Sequence, residues 1–416
     1  MRKIHQKNTV RYYLLLVIVL LFLFISGDFG MIDVQKTAII MAVGIDREDD
    51  TFIVTSQIAV PQSSKQGKAT ETVQLVSRGK TVADAFKEIN AKTGWYPKLV
   101  FCHLIILGDK TTRQNTFDAL EFFLLDEYMS DNCQLATCDG LAKDLLNVTA
   151  LVDPSGSVAM QKVLSPHAER VGTVMPSTLR EFSVGYYSNS KSGFMPVLKT
   201  QPQQEKISGE EEQNNAPSNG TPQNGGQTQD QGGQGSQSGQ GGGQSQDKPV
   251  FSAGETALFQ SGKRVGTLTK EETFAFNAVK GKLRLASYSV EQENDACTLS
   301  IKRNDPKTKF SLNKDGRANF KIDVTLSAGL LDYSNALAQS SLSDAGDVPN
   351  GVFENASKRL SSQIITTFEK CRACNCDLFG VLDNLQKKQN GRLEELRYTA
   401  LENAVLDVSV RFRGVR

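Results

Sequence analysis

TAIIMAVGID (Thr37 to Asp46), an acidic turn at Arg47 to Thr51, and FIVTSQIAVP (Phe52 to Pro61) together decide the fold class. Two apolar runs rich in β-branched residues, joined by a short polar connection, predict a β-hairpin. A third strand is expected at Val73 to Ser77. Thr81 to Thr93 follows, with Val82, Ala85, Phe86 and Ile89 recurring at helical spacing. Further along, KLVFCHLIILG (Lys98 to Gly108) reads as one strand and Thr116 to Tyr128 as a helix with Phe117, Leu120, Phe123 and Leu124 on one side. Cys133 to Cys138 reads as another strand, whose two cysteines are five positions apart and so face opposite ways. Strands and amphipathic helices mixed in this way predict an α+β domain over residues 31–200.

Residues 251–416 predict a second domain in the same style. Strands are expected at Ala257 to Phe259 and Lys263 to Val265, around the turn Gln260-Ser261-Gly262. Thr269-Lys270-Glu271-Glu272 is a capping box, so a helix should begin at Lys270. Strands follow at Leu283 to Val290, Cys297 to Lys302 and Phe320 to Leu326, with a turn at Asp315-Gly316. Helices over Val352 to Lys370 and Asp377 to Lys388 precede a terminal strand, Val405 to Phe412. The expected architecture is thus two α+β domains with mixed, mainly antiparallel sheets packed by helices.

Between the halves, residues 201–250 hold a tract of Gly, Gln, Ser and Asn in which Ala216 is the only hydrophobic residue from Ser208 to Pro249. Such a composition builds no core. As a coil it would span about 35 Å end to end, separating two folded units without fixing their orientation.

The amino terminus sets the compartment. Arg2, Lys3, Lys7 and Arg11 precede the unbroken apolar run Tyr12 to Ile25, so the flank stays in the cytoplasm and the rest of the chain faces outward. Residues 1–30 therefore read as a signal-like membrane segment. Cleavage after Ser26 or Gly27 would put Phe24 or Ile25 at the −3 position, which disfavours removal. A retained anchor over Val10 to Phe29 is the expectation, with Arg11 snorkelling and Asp28 among the outer headgroups.

Lys plus Arg number 47 against 46 Asp plus Glu, for a net charge of +1. The first 30 residues contribute +3, leaving the exported body at −2. With a single Trp and no basic run, nothing here tracks a phosphate backbone, and nucleic acid is excluded as a partner. Seven cysteines are an odd number and do not read as a disulfide framework. Cys371, Cys374 and Cys376 resemble a metal cluster but lack a fourth ligand, the histidines being His5, His103 and His167. Cys102 and His103, adjacent on a strand, point apart and make no nucleophile pair. No Walker or GxGxxG pattern is present. Catalytic, cofactor-binding and metal residues are expected to be none.

Several motifs, in order, resemble the Ger(x)C family, the C subunits of spore germinant receptors. They are Gly44-Ile45-Asp46, Val54 to Pro61, Gly79-Lys80-Thr81 and His103 to Asp109 in the first half. In the second half they are Ala257-Leu258-Phe259, Val265 to Thr273 and Asp377-Leu378-Phe379-Gly380. The resemblance implies a non-catalytic, membrane-attached subunit on the extracytoplasmic face of the inner spore membrane. Its implied partners are polytopic A-type and B-type receptor subunits, and its implied role is in nutrient-triggered germination. The sequence departs from the family at Asp28, where the lipidated cysteine is expected. A carboxylate cannot form the thioether, so no lipidation site is carried over. Two other classes stay open on the residues alone: a scaffold or adhesin that uses the Gly/Gln tract, and an anchored cell-wall enzyme.

Overall fold

The computed structural model describes residues 11–22, 37–59, 72–148, 153, 155–165, 170–201, 250–292, 295–334, 348 and 351–415. In chain order these form helix α1 (residues 11–22), the hairpin β1 (Thr37–Glu48) and β2 (Thr51–Ala59), then β3 (Thr72–Gly79) and α2 (Val82–Thr93). Next come β4 (Tyr96–Lys98), β5 (Leu104–Leu107), α3 (Asp109–Arg113), α4 (Phe117–Leu125), β6 (Gln134–Cys138), α5 (Ala142–Leu146) and α6 (Gly156–Leu164). β7 (Ser177–Thr178), α7 (Leu179–Tyr187), β8 (Ser192–Gln201), β9 (Val250–Gln260), β10 (Lys263–Leu268) and α8 (Lys270–Lys280) follow. The chain closes with β11 (Ala286–Gln292), β12 (Asp295–Leu312), β13 (Ala318–Tyr333), α9 (Val352–Ala373), α10 (Val381–Gln389), α11 (Leu393–Leu396) and β14 (Val405–Gly414).

Two sheets organise these elements. The first has ten strands in the order β10-β9-β8-β6-β5-β1-β2-β3, with β4 on β1 and β7 on β6. Its centre is parallel, because β1, β5, β6 and β8 run the same way. Helical crossovers between these strands make that possible. Strand β5 is buried on both faces, and its residues alternate between two cores. Ile105 and Leu107 pack beneath α2, α4 and α7, whereas Leu104 and Ile106 pack against α5 and α6. Cys133 and Cys138 divide in the same way between the two faces, as their spacing predicts. In β1 a bulge between Ile40 and Ala42 changes the side-chain parity. It lets Ala38, Ile40, Val43 and Ile45 all reach one core.

The second sheet, β11-β12-β13-β14, is covered by α8, α9 and α10. In α9 the residues Val352, Ala356, Leu360, Ile364, Phe368 and Cys371 form a continuous buried stripe. The terminal strand β14 pairs in parallel with β13 at the sheet edge.

Three sequence expectations need correction. Lys98 to Gly108 is not one strand: a turn in which Cys102 N donates to Leu99 O at 2.8 Å separates β4 from β5. The helix expected from Asp377 begins at Val381, because Asp377 itself serves as its cap. Most consequentially, the strands flanking the Gly/Gln tract are antiparallel neighbours, with Gln201 opposite Val250 and Ser192 opposite Gln260. Strands β9 and β10 therefore extend the first sheet, and a shared ladder fixes the orientation of the halves that the tract was expected to leave free.

The tract itself, residues 202–249, lies outside the described residues, as do Asp28, His5, His167 and, within the expected anchor Val10 to Phe29, residues 10 and 23–29. Of that anchor the structure describes helix α1, whose residues are all exposed. Among the described residues no helix is long and apolar enough to cross a membrane.

Because residues 202–249 close a hairpin, shortening this 48-residue connection to six residues should preserve the fold. Three halvings of the loop should add up to about 1.8 kcal/mol of stability by reducing closure entropy. Urea unfolding of the shortened chain checks this, and a large loss of stability would mean that the tract packs on the body.

Candidate functional site

Two motifs of the first half, Gly44-Ile45-Asp46 and the Gly108-Asp109 end of His103 to Asp109, meet at the carboxyl-end edge of β1, β5, β6 and β8. Asp46, near the end of β1, is buried, 3% exposed, yet it sits 96 and 97 positions from the two amide groups it binds. Its Oδ1 accepts from Ala142 N at 2.8 Å and its Oδ2 from Lys143 N at 3.1 Å, the first amides of α5. Leu141, which precedes that helix, has no side chain that can cap it, so Asp46 supplies the missing acceptor. Burial raises the Asp46 carboxyl above its usual range, and the two amides act against that rise.

Close packing around Asp46 explains the glycine at the end of β5. A Cβ on Gly108 would stand 2.1 Å from Asp46 Oδ1. Gly108 N donates to Ile45 O at 2.9 Å, Thr111 Oγ1 donates to the same carbonyl at 3.0 Å, and Asp109 N donates to Gly140 O at 3.0 Å. The segments Gly44-Ile45-Asp46 and Gly108-Asp109 are thus two parts of one joint.

An ion network covers this joint and ties it to the strands beyond the tract. Arg264 on β10 meets Asp139 Oδ1 at 2.8 Å and Asp109 Oδ1 at 3.7 Å, and Lys199 on β8 meets Glu255 at 2.7 Å and Asp139 at 3.4 Å. Burial alone would raise the Asp139 carboxyl, but Arg264 and Lys199 outweigh it and hold it below the usual carboxylate range. An open cleft of about 280 Å³ lies beside the network, lined by Cys138, Asp139, Asp144, Leu198, Lys199 and Thr200. Burial pushes the Cys138 thiol up to about 12, and its Sγ lies 3.3 Å from Gly140 O. The thiolate that nucleophilic chemistry requires is thereby suppressed.

A second polar joint locks the helical layer of the second half onto the first sheet. Asp377 is buried, and its carboxylate accepts from Gly380 N, Val381 N and Leu382 N at 2.8 to 2.9 Å, capping α10. Its own amide donates to Ser192 Oγ at 2.8 Å, and Cys376 Sγ lies 3.2 Å from Phe259 O. Burial raises the Asp377 carboxyl despite the three amides. Nearby, burial lowers the Lys280 ammonium, against the attraction of Asp377 and Asp383. Two shallow clefts of about 160 and 240 Å³ flank Asp377 along this seam.

The cysteine cluster takes part in the same joint. Cys371 and Cys376 are buried and Cys374 is half-buried, all three as free thiols, and burial raises the first two. Among the described residues no group of three or more His, Cys, Asp or Glu side chains is arranged to hold a metal ion. Cys102 enters the core beside Cys133. Burial pushes the His103 imidazole below its usual range, an effect partly offset by the Phe101 and Ser157 backbone. Sequence reasoning read Asp46 and Asp377 only as parts of motifs, because the amides that Asp46 binds and the strand that Asp377 grips are remote in the chain.

Comparison with known proteins gives this architecture its place. The family described as spore germination protein N-terminal domain matches residues 30–200, and that described as spore germination B3/GerAC-like, C-terminal, matches residues 254–413. The chain belongs to the Ger(x)C family of spore germination proteins. Spore germination protein A3 of Bacillus subtilis is 24% identical over 170 residues, 39% of this chain and 44% of that relative. The match thus spans less than half of the relative's length. The crystal structure of the GerBC protein is 16% identical and superposes with a TM-score of 0.50 over 90% of this chain and 97% of that one. This Ger(x)C chain therefore shares the GerBC fold. Family and sheet boundaries differ, since the C-terminal family region starts inside β9, a strand of the first sheet.

Two outcomes test the carboxyl-end joint. Gly108→Ala should destabilise the fold by about 1–3 kcal/mol in urea unfolding, since the new methyl must displace Asp46; a cost near zero would show the joint to be slack. Asp139 has a depressed carboxyl in the folded state, so its contribution is present above the unfolded carboxylate range and is lost as pH falls through the folded value. Arg264→Gln should therefore lower stability at neutral pH, and the gap to the parent should close on acidification. Because Asp139 is nearly half exposed, the gap is expected to stay below about 1 kcal/mol.

Proposed function

We propose that this chain is the non-catalytic C subunit of a germinant receptor, held on the extracytoplasmic face of the inner spore membrane. In that reading it works beside polytopic A-type and B-type subunits in nutrient-triggered germination. The observation that carries the reading is the match of both Ger(x)C regions, in order, to one chain whose two halves share a sheet. The two domains, residues 31–200 and 251–416, then act as a single rigid presenter of surfaces. Residues 1–30 are the attachment and residues 201–250 the Gly/Gln/Ser-rich linker between the domains.

The site geometry supports binding over chemistry. The carboxylates Asp46 and Asp377 are each consumed by backbone amides, and Asp139 is held by Arg264 and Lys199. The buried thiols Cys138 and Cys376 are pushed up to about 12. The polar clefts left between these groups are open to solvent and suit contact with another protein surface.

Affinity purification of the tagged full chain from spore membranes, with mass spectrometry of what accompanies it, is the test. Two polytopic membrane proteins should copurify, and spores lacking the chain should lose nutrient-triggered germination. Recovery of the chain from membranes with no polytopic protein would overturn the receptor reading.

A further inference from the structure

The first sheet has two unlike edges. Its carboxyl-end edge carries the charged network of Asp109, Asp139, Lys199 and Arg264. The opposite edge, where β1, β5 and β6 begin, exposes large apolar side chains instead: Tyr96, Val100, Phe101, Leu125 and Tyr128. Leu125 is 76% exposed and Phe101 59%, values at odds with an edge that serves only to close a core. The residues come from two segments that Lys98 and Tyr128 bring into contact. Tyr96 belongs to β4, Val100 and Phe101 lie in the turn after it, Leu125 and Tyr128 end the α4 segment, and Lys98 Nζ lies over the Tyr128 ring at 4.6 Å.

In the sequence, this edge follows closely after the apolar amino-terminal run. Thr37, the first residue of β1, pairs with Tyr96, and Ile39 pairs with Lys98. Only Gly30 to Lys36 separate Thr37 from the expected end of the anchor at Phe29. Seven residues reach at most about 25 Å even when fully extended. β1 then rises away from that point, and at about 3.4 Å per residue it carries Asp46 about 30 Å further off. A chain attached through residues 10–29 is thus held by a short tether beside its own apolar edge, with its charged edge pointing away.

From this we infer that the edge formed by Tyr96, Val100, Phe101, Leu125 and Tyr128 rests on the lipid surface and fixes the body upright on the membrane. The inference rests on the membrane-attached reading above. Tyr rings favour the boundary between headgroups and acyl chains, and Tyr96 and Tyr128 are exposed at this edge, next in sequence to Trp95, which is half-buried against the core of the first half. The flanking charges are mixed, Lys98 with Asp126 and Glu127, so attraction comes from insertion of apolar side chains and not from anionic headgroups. The tether raises the local concentration of the edge at the bilayer, so weak insertion suffices.

Trp95, the sole tryptophan, is a built-in reporter. The full chain would be reconstituted into phosphatidylcholine vesicles with brominated acyl chains, and cofloatation and Trp95 emission measured together. The chain should float with the vesicles, with Trp95 emission lost relative to unbrominated lipid and unaltered by added salt. Phe101→Ser combined with Leu125→Ser should restore emission while the chain still floats and unfolds at the parental temperature. A Trp95→Phe, Lys110→Trp chain, reporting from the far edge, should show no quenching. Flotation of the parent chain with Trp95 open to aqueous acrylamide and untouched by bromolipid would overturn the inference, leave the attachment reading standing, and assign the edge to a protein partner. Failure to float would overturn both.

Discussion

The backbone ladder between β8 and β9 is the constraint on which the rest of the molecule depends. It joins Ser192–Gln201 to Val250–Gln260 across the Gly/Gln tract and makes the start of the second half part of the first sheet. Leu258 on β9 and Leu268 at the end of β10 then pack with α8 in the core of the second half, while Ala257 and Phe259 face the core of the first. One strand thus serves two cores on its two faces, which is why the halves cannot reorient without breaking paired backbone groups. The rigid ladder also gives Arg264 a fixed position over Asp109 and Asp139.

Each half repeats the same device for holding a helix to a sheet. A buried aspartate accepts backbone amides at a helix amino terminus, Asp46 for α5 and Asp377 for α10. A carboxylate so placed would be costly if unpaired, and its energy is favourable only while helix and sheet stay together. Such joints define geometry tightly. They also explain motifs that look like functional residues while acting as structural ones: Gly44-Ile45-Asp46, Gly108-Asp109 and Asp377-Leu378-Phe379-Gly380 all meet at these two places.

The parallel strands at the centre of the first sheet give the body a direction. Their starting edge exposes apolar side chains and includes Thr37, paired with Tyr96, and their finishing edge carries the ion network and an open cleft. Under the proposed attachment through residues 1–30, that polarity sets one surface toward the bilayer and leaves the other for partners. The seam clefts around Asp377 lie between the two halves, which Asn189 and Gln386 also join by a 2.8 Å hydrogen bond.

Local signals carried a good deal of this. Sequence pattern placed the β1–β2 hairpin, α2, and the helix α9 from Val352, and the Thr269 capping box located the start of α8 at Lys270, with Thr269 Oγ1 accepting from Glu272 N. The five-residue spacing of Cys133 and Cys138 foretold their separation to opposite faces. These features rest on interactions within a few residues, or on the fixed two-residue period of a strand, so the sequence alone determines them. It also determined the family, through short motifs in a fixed order. What only the tertiary structure decided was pairing between distant segments: β9 beside β8 despite the tract, the split of Lys98 to Gly108 into two strands, and the partners of Asp46 and Asp377. Composition marks such a tract as unable to form a core, but only the hydrogen-bonding needs of the strands on either side fix where the chain goes after it.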